Sequence, residues 1–242
     1  MISSADVIAI GAHPDDVEIS CGGSVASLVS LGYSVVIADL TRGELGSRGT
    51  PETRRQEAEK AANILGVPRR INLGLPDGNI TSSIEQITAV VRLLRKFRPK
   101  ILLIPSEFDR HIDHEDAYKL IRKSVFQSGL AKFISFENDV PQQPFRPTHV
   151  FSYMQTYETP SDFFVDISNS YTTKLAAIQA FGSQIFVPGA QDEEPQTFIS
   201  KPEFIEMLEA RARYFGARIG VRYAEGFRCI EPLGIPSLSI WL

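Results

Sequence analysis

The densest chemistry in the chain lies in one short stretch, Ile8-Ala9-Ile10-Gly11-Ala12-His13-Pro14-Asp15-Asp16. One imidazole and two carboxylates follow an apolar run, and Pro14 stiffens the turn between them. His13 and Asp16 are three residues apart, so one turn of backbone can aim both side chains at a single point. A phosphate cradle at such a place needs bare glycine amides. Asp15 and Asp16 would instead repel a pyrophosphate and suit a divalent cation. Capping of the following helix by the aspartates is the alternative use of the same residues.

A second cluster, Ser106-Glu107-Phe108-Asp109-Arg110-His111-Ile112-Asp113-His114-Glu115-Asp116, brings two more histidines. Of the four histidines in the chain, only His149 lies outside these two stretches. Two imidazoles and one carboxylate make a three-donor site with open positions, for which Zn²⁺ is the first choice. His13, Asp16 and one of His111 or His114 would hold it. A zinc ion can lower the pKa of a bound water to about 7. Asp15 is then free to orient that water and take its proton. The histidine left over, oriented by Asp113, would act as an imidazolium that stabilises an oxyanion and protonates a departing amine. These parts suffice for metal-assisted amide hydrolysis. Iron(II) oxygenases use the same donor trio, but oxygen activation has no use for Asp15.

For the two stretches to meet, strands must deliver them side by side. Val7–Ile10, Ser34–Leu40, Arg70–Leu73 and Lys100–Ile104 read as strands. They alternate with helical segments: Ile19–Leu31, a segment from Pro51 to about Leu65 with Thr50 as N-cap, and Ile84–Phe97. Such alternation predicts an α/β fold, Rossmann-like and three-layered, with a mostly parallel sheet whose order begins 3-2-1-4. The chain reverses across the sheet between the first and fourth strands, so the loops after them should face each other in the ligand crevice. Beyond Gln127 the pattern weakens. Val150–Met154 is the best strand there, Ile167–Phe181 and Pro202–Phe215 read as helices, and Val187–Glu194 as a polar loop. A single domain is expected over 1–242, with a Rossmann-like half at 1–128 and a C-terminal extension at 129–242.

The 242 residues are 43% hydrophobic and 22% charged, an ordinary globular make-up that needs no disulfides. Cys21 and Cys229 lie far apart, as in a reducing compartment. Met1–Asp6 carries no basic leader, and no apolar run reaches the ~20 residues that span a bilayer. The expectation is a cytoplasmic protein without a membrane partner. A formal net charge of −4 argues against nucleic-acid binding. A non-catalytic sugar- or nucleotide-binding module is the reading from another class. The expected Gly-x-Gly-x-x-Gly fingerprint is absent after the first strand, and such a module has no need of a spare base.

Ala12-His13-Pro14-Asp15-Asp16 paired with His111-Ile112-Asp113-His114 resembles the LmbE/PIG-L family of zinc de-N-acetylases. The resemblance extends to Gly43-Glu44, Arg54-Arg55 and Leu75-Pro76-Asp77. Ser183-Gln184 and Tyr223-Ala224-Glu225-Gly226-Phe227 are similar to the bacillithiol-pathway branch, which deacetylates N-acetylglucosaminyl malate. The resemblance implies that His13, Asp16 and His114 ligate Zn²⁺, with Fe²⁺ as the other metal. It implies Asp15 as general base and His111 as acid or electrostatic partner, with Asp113 holding its ring. Arg54 and Asp77 would hold sugar hydroxyls, and Arg110 would read an anionic aglycone such as malate. It also implies an N-acetyl amino sugar substrate, with chito-oligosaccharides as an alternative, and a homo-oligomer, trimer or hexamer.

Overall fold

The computed structural model describes residues 4–187, 194–235, 237 and 239. In the first half, strands alternate with helices: β1 (Val7–Gly11), α1 (Asp16–Ser30), β2 (Val35–Thr41), α2 (Pro51–Leu65), β3 (Arg69–Leu75), α3 (Ile84–Phe97), β4 (Ile101–Ile104) and α4 (Ile112–Ser128). A two-residue hairpin follows, β5 (Phe136–Glu137) with β6 (Val140–Pro141). The remainder is β7 (His149–Tyr153), β8 (Phe163–Asp166), α5 (Tyr171–Gln179), α6 (Pro202–Ile219) and β9 (Ala224–Cys229).

The main sheet runs in the order β3-β2-β1-β4-β7-β9-β8. The expected start, 3-2-1-4, is present, and β3 through β7 are parallel. β9 then runs antiparallel to both β7 and β8. β1 is buried along its whole length, as a parallel strand covered on both faces must be. Alternate side chains enter opposite cores. Val7 and Ala9 pack with residues of α1, α2, α5 and α6, whereas Ile8 and Ile10 pack with residues of α3 and α4. Three layers result, and the register Val7↔Ile101 through Ala9↔Leu103 sets the ends of β1 and β4 beside each other.

The helix starts differ in kind. Thr50 caps α2 by accepting from Thr53 N, with Pro51 in the first turn, and Ser83 caps α3 by accepting from Gln86 N. α1 begins at Asp16, earlier than expected, without a side-chain cap, and it breaks at Cys21. The freed amides of Gly23 and Ser24 donate to the buried Glu225 carboxylate, which also pairs with Lys174. β9 was not anticipated, because Ala224-Glu225-Gly226-Phe227-Arg228-Cys229 has no apolar alternation; Glu225 is buried through that pairing instead. β8 takes the segment just before the predicted helix at Ile167–Phe181, which is shorter than expected at Tyr171–Gln179. Most of the polar loop expected at 187–194, its residues 188–193, lies outside the described residues.

Candidate metal centre

The turn after β1 has almost no spare room. A Cβ on Gly11 would meet Asp16 Cβ and His13 O at 2.9 Å, so the chain can fold back on itself there. Asp15 takes φ 114°, a left-handed conformation that costs an ordinary residue about 1–3 kcal/mol. Asp16 opens α1, and its Oδ2 accepts from His13 N at 3.0 Å. On the other side, the stretch expected as loop to Asp116 turns helical at Ile112, so His114 sits in the first turn of α4. His111 is the N-cap of that helix, its Nδ1 accepting from Asp113 N at 3.3 Å.

Three donors converge. His114 Nε2 lies 3.2 Å from Asp16 Oδ1, and His13 Nδ1 lies 3.7 Å from Asp16 Oδ2. Ligand atoms of His13, Asp16 and His114 all fall within 4.8 Å of one another, and all three residues are buried. Donors about 2.0–2.1 Å from a tetrahedral zinc are about 3.3 Å apart, so both measured gaps suit one small cation. The far nitrogen of each ring is also held. His13 Nε2 faces the carboxylates of Asp77 at 3.1 Å and Asp113 at 3.2 Å, and His114 Nδ1 faces Asp109 at 3.0 Å. A carboxylate accepts, so those nitrogens carry the ring protons. The lone pairs are left at His13 Nδ1 and His114 Nε2, the two atoms beside Asp16. The donor set therefore fits a divalent metal, which His13, Asp16 and His114 could hold.

The site's charges favour a cation as well. Burial opposes a charge on His13, but hydrogen bonds to Asp113 and Asp77 raise its pKa to about 10. His114 rises to about 9 against the same burial, through Asp16 and Asp109. Burial would raise Asp16, yet His114 and His13 hold it well below the usual carboxylate range. Asp15 behaves oppositely. Burial lifts it to about 7, Arg54 opposes the rise, and Asp16 adds to it. His111 is lowered by burial and by its two neighbouring imidazoles.

Not every expected partnership is present. Asp113 was expected to hold the ring of His111. Its carboxylate instead bonds His13 Nε2 and accepts from Gly78 N at 2.8 Å, and only its backbone amide meets His111. That amide requires a lone pair on Nδ1, so His111 is a neutral Nε2–H tautomer rather than the expected imidazolium. Asp77, expected at a sugar hydroxyl, accepts from Leu45 N at 2.8 Å and bonds His13. Arg54 donates to Pro14 O (2.7 Å), Asp15 Oδ2 (3.2 Å) and Gly43 O (3.3 Å). A Cβ at Gly43 would overlap its guanidinium at 1.8 Å, so a glycine is required there. Arg110 lies at the cavity wall, 5.0 Å over the ring of Phe198. Asp109 was missed. Beyond its bond to His114, it accepts from Thr156 N at 2.7 Å and Tyr157 N at 3.3 Å. Its only sequence signal was its place two residues before His111.

All nine expected residues line one open cavity of about 600 Å³, within the range of small-molecule sites.

Residues 8–125 match the model of the family described as PIG-L, GlcNAc-PI de-N-acetylase. Diacetylchitobiose deacetylase of Thermococcus kodakarensis is 30% identical over 234 residues, covering 93% of this chain and 82% of that protein. The crystal structure of the conserved protein TT1542 from Thermus thermophilus is 37% identical with a TM-score of 0.84, over 96% of this chain and 98% of that one. GalB, the 4-carboxy-2-hydroxymuconate hydratase of Pseudomonas putida KT2440, shares the fold at 20% identity and a TM-score of 0.74, over 96% of this chain and 98% of that one. By its similarity to the Thermococcus enzyme across most of both lengths, and by the family match running from β1 into α4, the chain belongs to the PIG-L family.

Proposed function

We propose that this chain is a metal-dependent hydrolase that removes the acetyl group from an N-acetylated amino sugar. The observation that carries the reading is Asp15. It is a buried carboxylate beside Asp16 in sequence but outside the donor set, bonded to Arg54, and it lines the cavity. A carboxylate beside the metal ligands that does not itself ligate is the proton acceptor that water activation requires.

His13, Asp16 and His114 hold the metal, with Zn²⁺ preferred for this donor set and Fe²⁺ as the alternative. When bound, the cation supplies Lewis-acid polarisation and a more acidic water. Asp15 takes one proton from the attacking water, and its bond to Arg54 fixes its direction. The water oxygen joins the acetyl carbon, the C–N bond breaks, and Asp15 returns the proton to the leaving nitrogen. Acetic acid and a free amine result, and at neutral pH the acid's proton passes to the amine, leaving acetate and an ammonium. His111 donates Nε2–H to the oxygen on which negative charge develops. Asp113 and Asp77 hold the ring of His13.

N-acetylglucosaminyl malate is the substrate to test first, because Arg110 at the cavity wall suits an anionic aglycone. Chito-oligosaccharides come second. Cytoplasmic residence and a homo-oligomer, trimer or hexamer, belong to the same reading.

The test is acetate release from N-acetylglucosaminyl malate, diacetylchitobiose and N-acetylglucosamine, with free amine counted in parallel. Equal acetate and amine without oxygen, lost to a chelator and restored by zinc, is the expected result. No acetate from any of the three sugars at full metal loading would overturn the reading.

A further inference from the structure

We propose that Gln155 binds substrate, its side-chain amide pairing with a hydroxyl of the sugar whose acetamido group is cleaved. This rests on the sugar-deacetylase reading. Gln155 follows β7, the strand beside β4, and lines the metal cavity while only 5% exposed. Its Oε1 is buried without a hydrogen-bond partner among the described residues. An unpaired buried polar group of this kind costs about 1–3 kcal/mol, so a fold that keeps one in a ligand cavity points to a ligand that pairs it.

Most other buried polar groups around the cavity bond inside the protein, although Arg54 Nε also lacks a partner among the described residues. Asp77 and Asp113 bond His13 and backbone amides, and Arg54 bonds Asp15 and two carbonyls. Two of the residues expected to hold sugar hydroxyls thus have their bonds inside the protein. A carboxamide offers a donor and an acceptor side by side, and a hydroxyl accepts the one and donates to the other. The position is also stiff. Arg211 donates to Gln155 O, and the next two amides donate to Asp109, the carboxylate that orients His114. The side chain is therefore held in register with the metal ligand without touching the reacting atoms.

The experiment pairs Gln155→Met, which keeps the volume, and Gln155→Glu with N-acetylglucosamine glycosides that each lack one ring hydroxyl. The zinc-loaded wild type should lose about tenfold in kcat/KM with one of these analogues. Gln155→Met should lose about tenfold with the intact sugar, mainly in KM, with unchanged zinc content, and nothing further with that same analogue. Gln155→Glu keeps an acceptor and should recover part of the loss. If Gln155→Met is as active as wild type on the intact sugar, or loses the same factor on every analogue, the assignment of Gln155 is overturned while the deacetylase reading stands. A wild type that cleaves no N-acetyl sugar removes both.

Discussion

The two helix starts that build the centre place their residues by different means. At α4, an ordinary cap does the work: His111 accepts a backbone amide, and His114 follows one turn later on the same side. At α1 there is no side-chain cap, and the residue in that position, Asp15, is held at φ 114°. Capping by the aspartates was the competing use of that stretch, and Asp15 does not cap. Its carboxylate is turned to Arg54 while Asp16 faces the imidazoles. Strain thus separates two adjacent carboxylates into different roles, one beside two histidines and held acidic, the other buried beside a guanidinium and held near neutral.

The comparison can be broken most severely at Asp15. Asn fills the same space and tolerates positive φ, so Asp15→Asn should keep metal and fold yet lose about 10²–10⁴ in kcat. Near-wild-type turnover would end its assignment as base. On the α4 side, His111→Ala should retain metal while kcat falls about 10²–10³, the scale of a lost oxyanion donor. His114→Ala should lose the metal itself, and metal analysis of the two variants separates their roles.

Protons compete with the cation at both rings. In metal-free protein His13 titrates at about 10 and His114 at about 9, so below these values each ring must release a proton before it can bind metal. Affinity should therefore rise with pH, by up to about a hundredfold per unit while both rings are protonated, and level off above their pKa values. Competition titrations across that range would check the slope; a pH-independent affinity would contradict it. A smaller effect is expected from the carboxylates behind the rings. Asp109→Asn or Asp77→Asn should weaken metal binding about 10–100-fold and leave the fold intact. The smallest effect isolates strain: Asp15→Gly and Asp15→Ala both lose the bond to Arg54, so Asp15→Gly should be the more stable of the two in denaturant by about 1 kcal/mol, both being inactive. An Asp15→Ala as stable as Asp15→Gly would show that the left-handed turn carries no strain.

The parallel half was legible because its signals are local. Val7–Ile10, Lys100–Ile104, the Thr50-Pro51 cap and the Ile84–Phe97 period each declare themselves within a few residues, and handedness rules then order the strands. β9 escaped because Glu225 is buried by a partner 51 residues away in Lys174, which no periodicity reports. The start of α4 escaped because Asp109 through Asp116 looks like polar loop until His111 is seen as its cap.

By itself, the order of residue types determined that two histidine- and aspartate-bearing turns follow strands one and four and that those strands are neighbours. Only the tertiary structure decided which nitrogen of each imidazole faces Asp16, that Asp77 and Asp113 serve His13, and that Arg54 is spent on Asp15. Those bonds join residues 64, 100 and 39 positions apart, so their geometry is set by sheet register and by the depth of burial. Neither quantity is written in any short stretch of the chain.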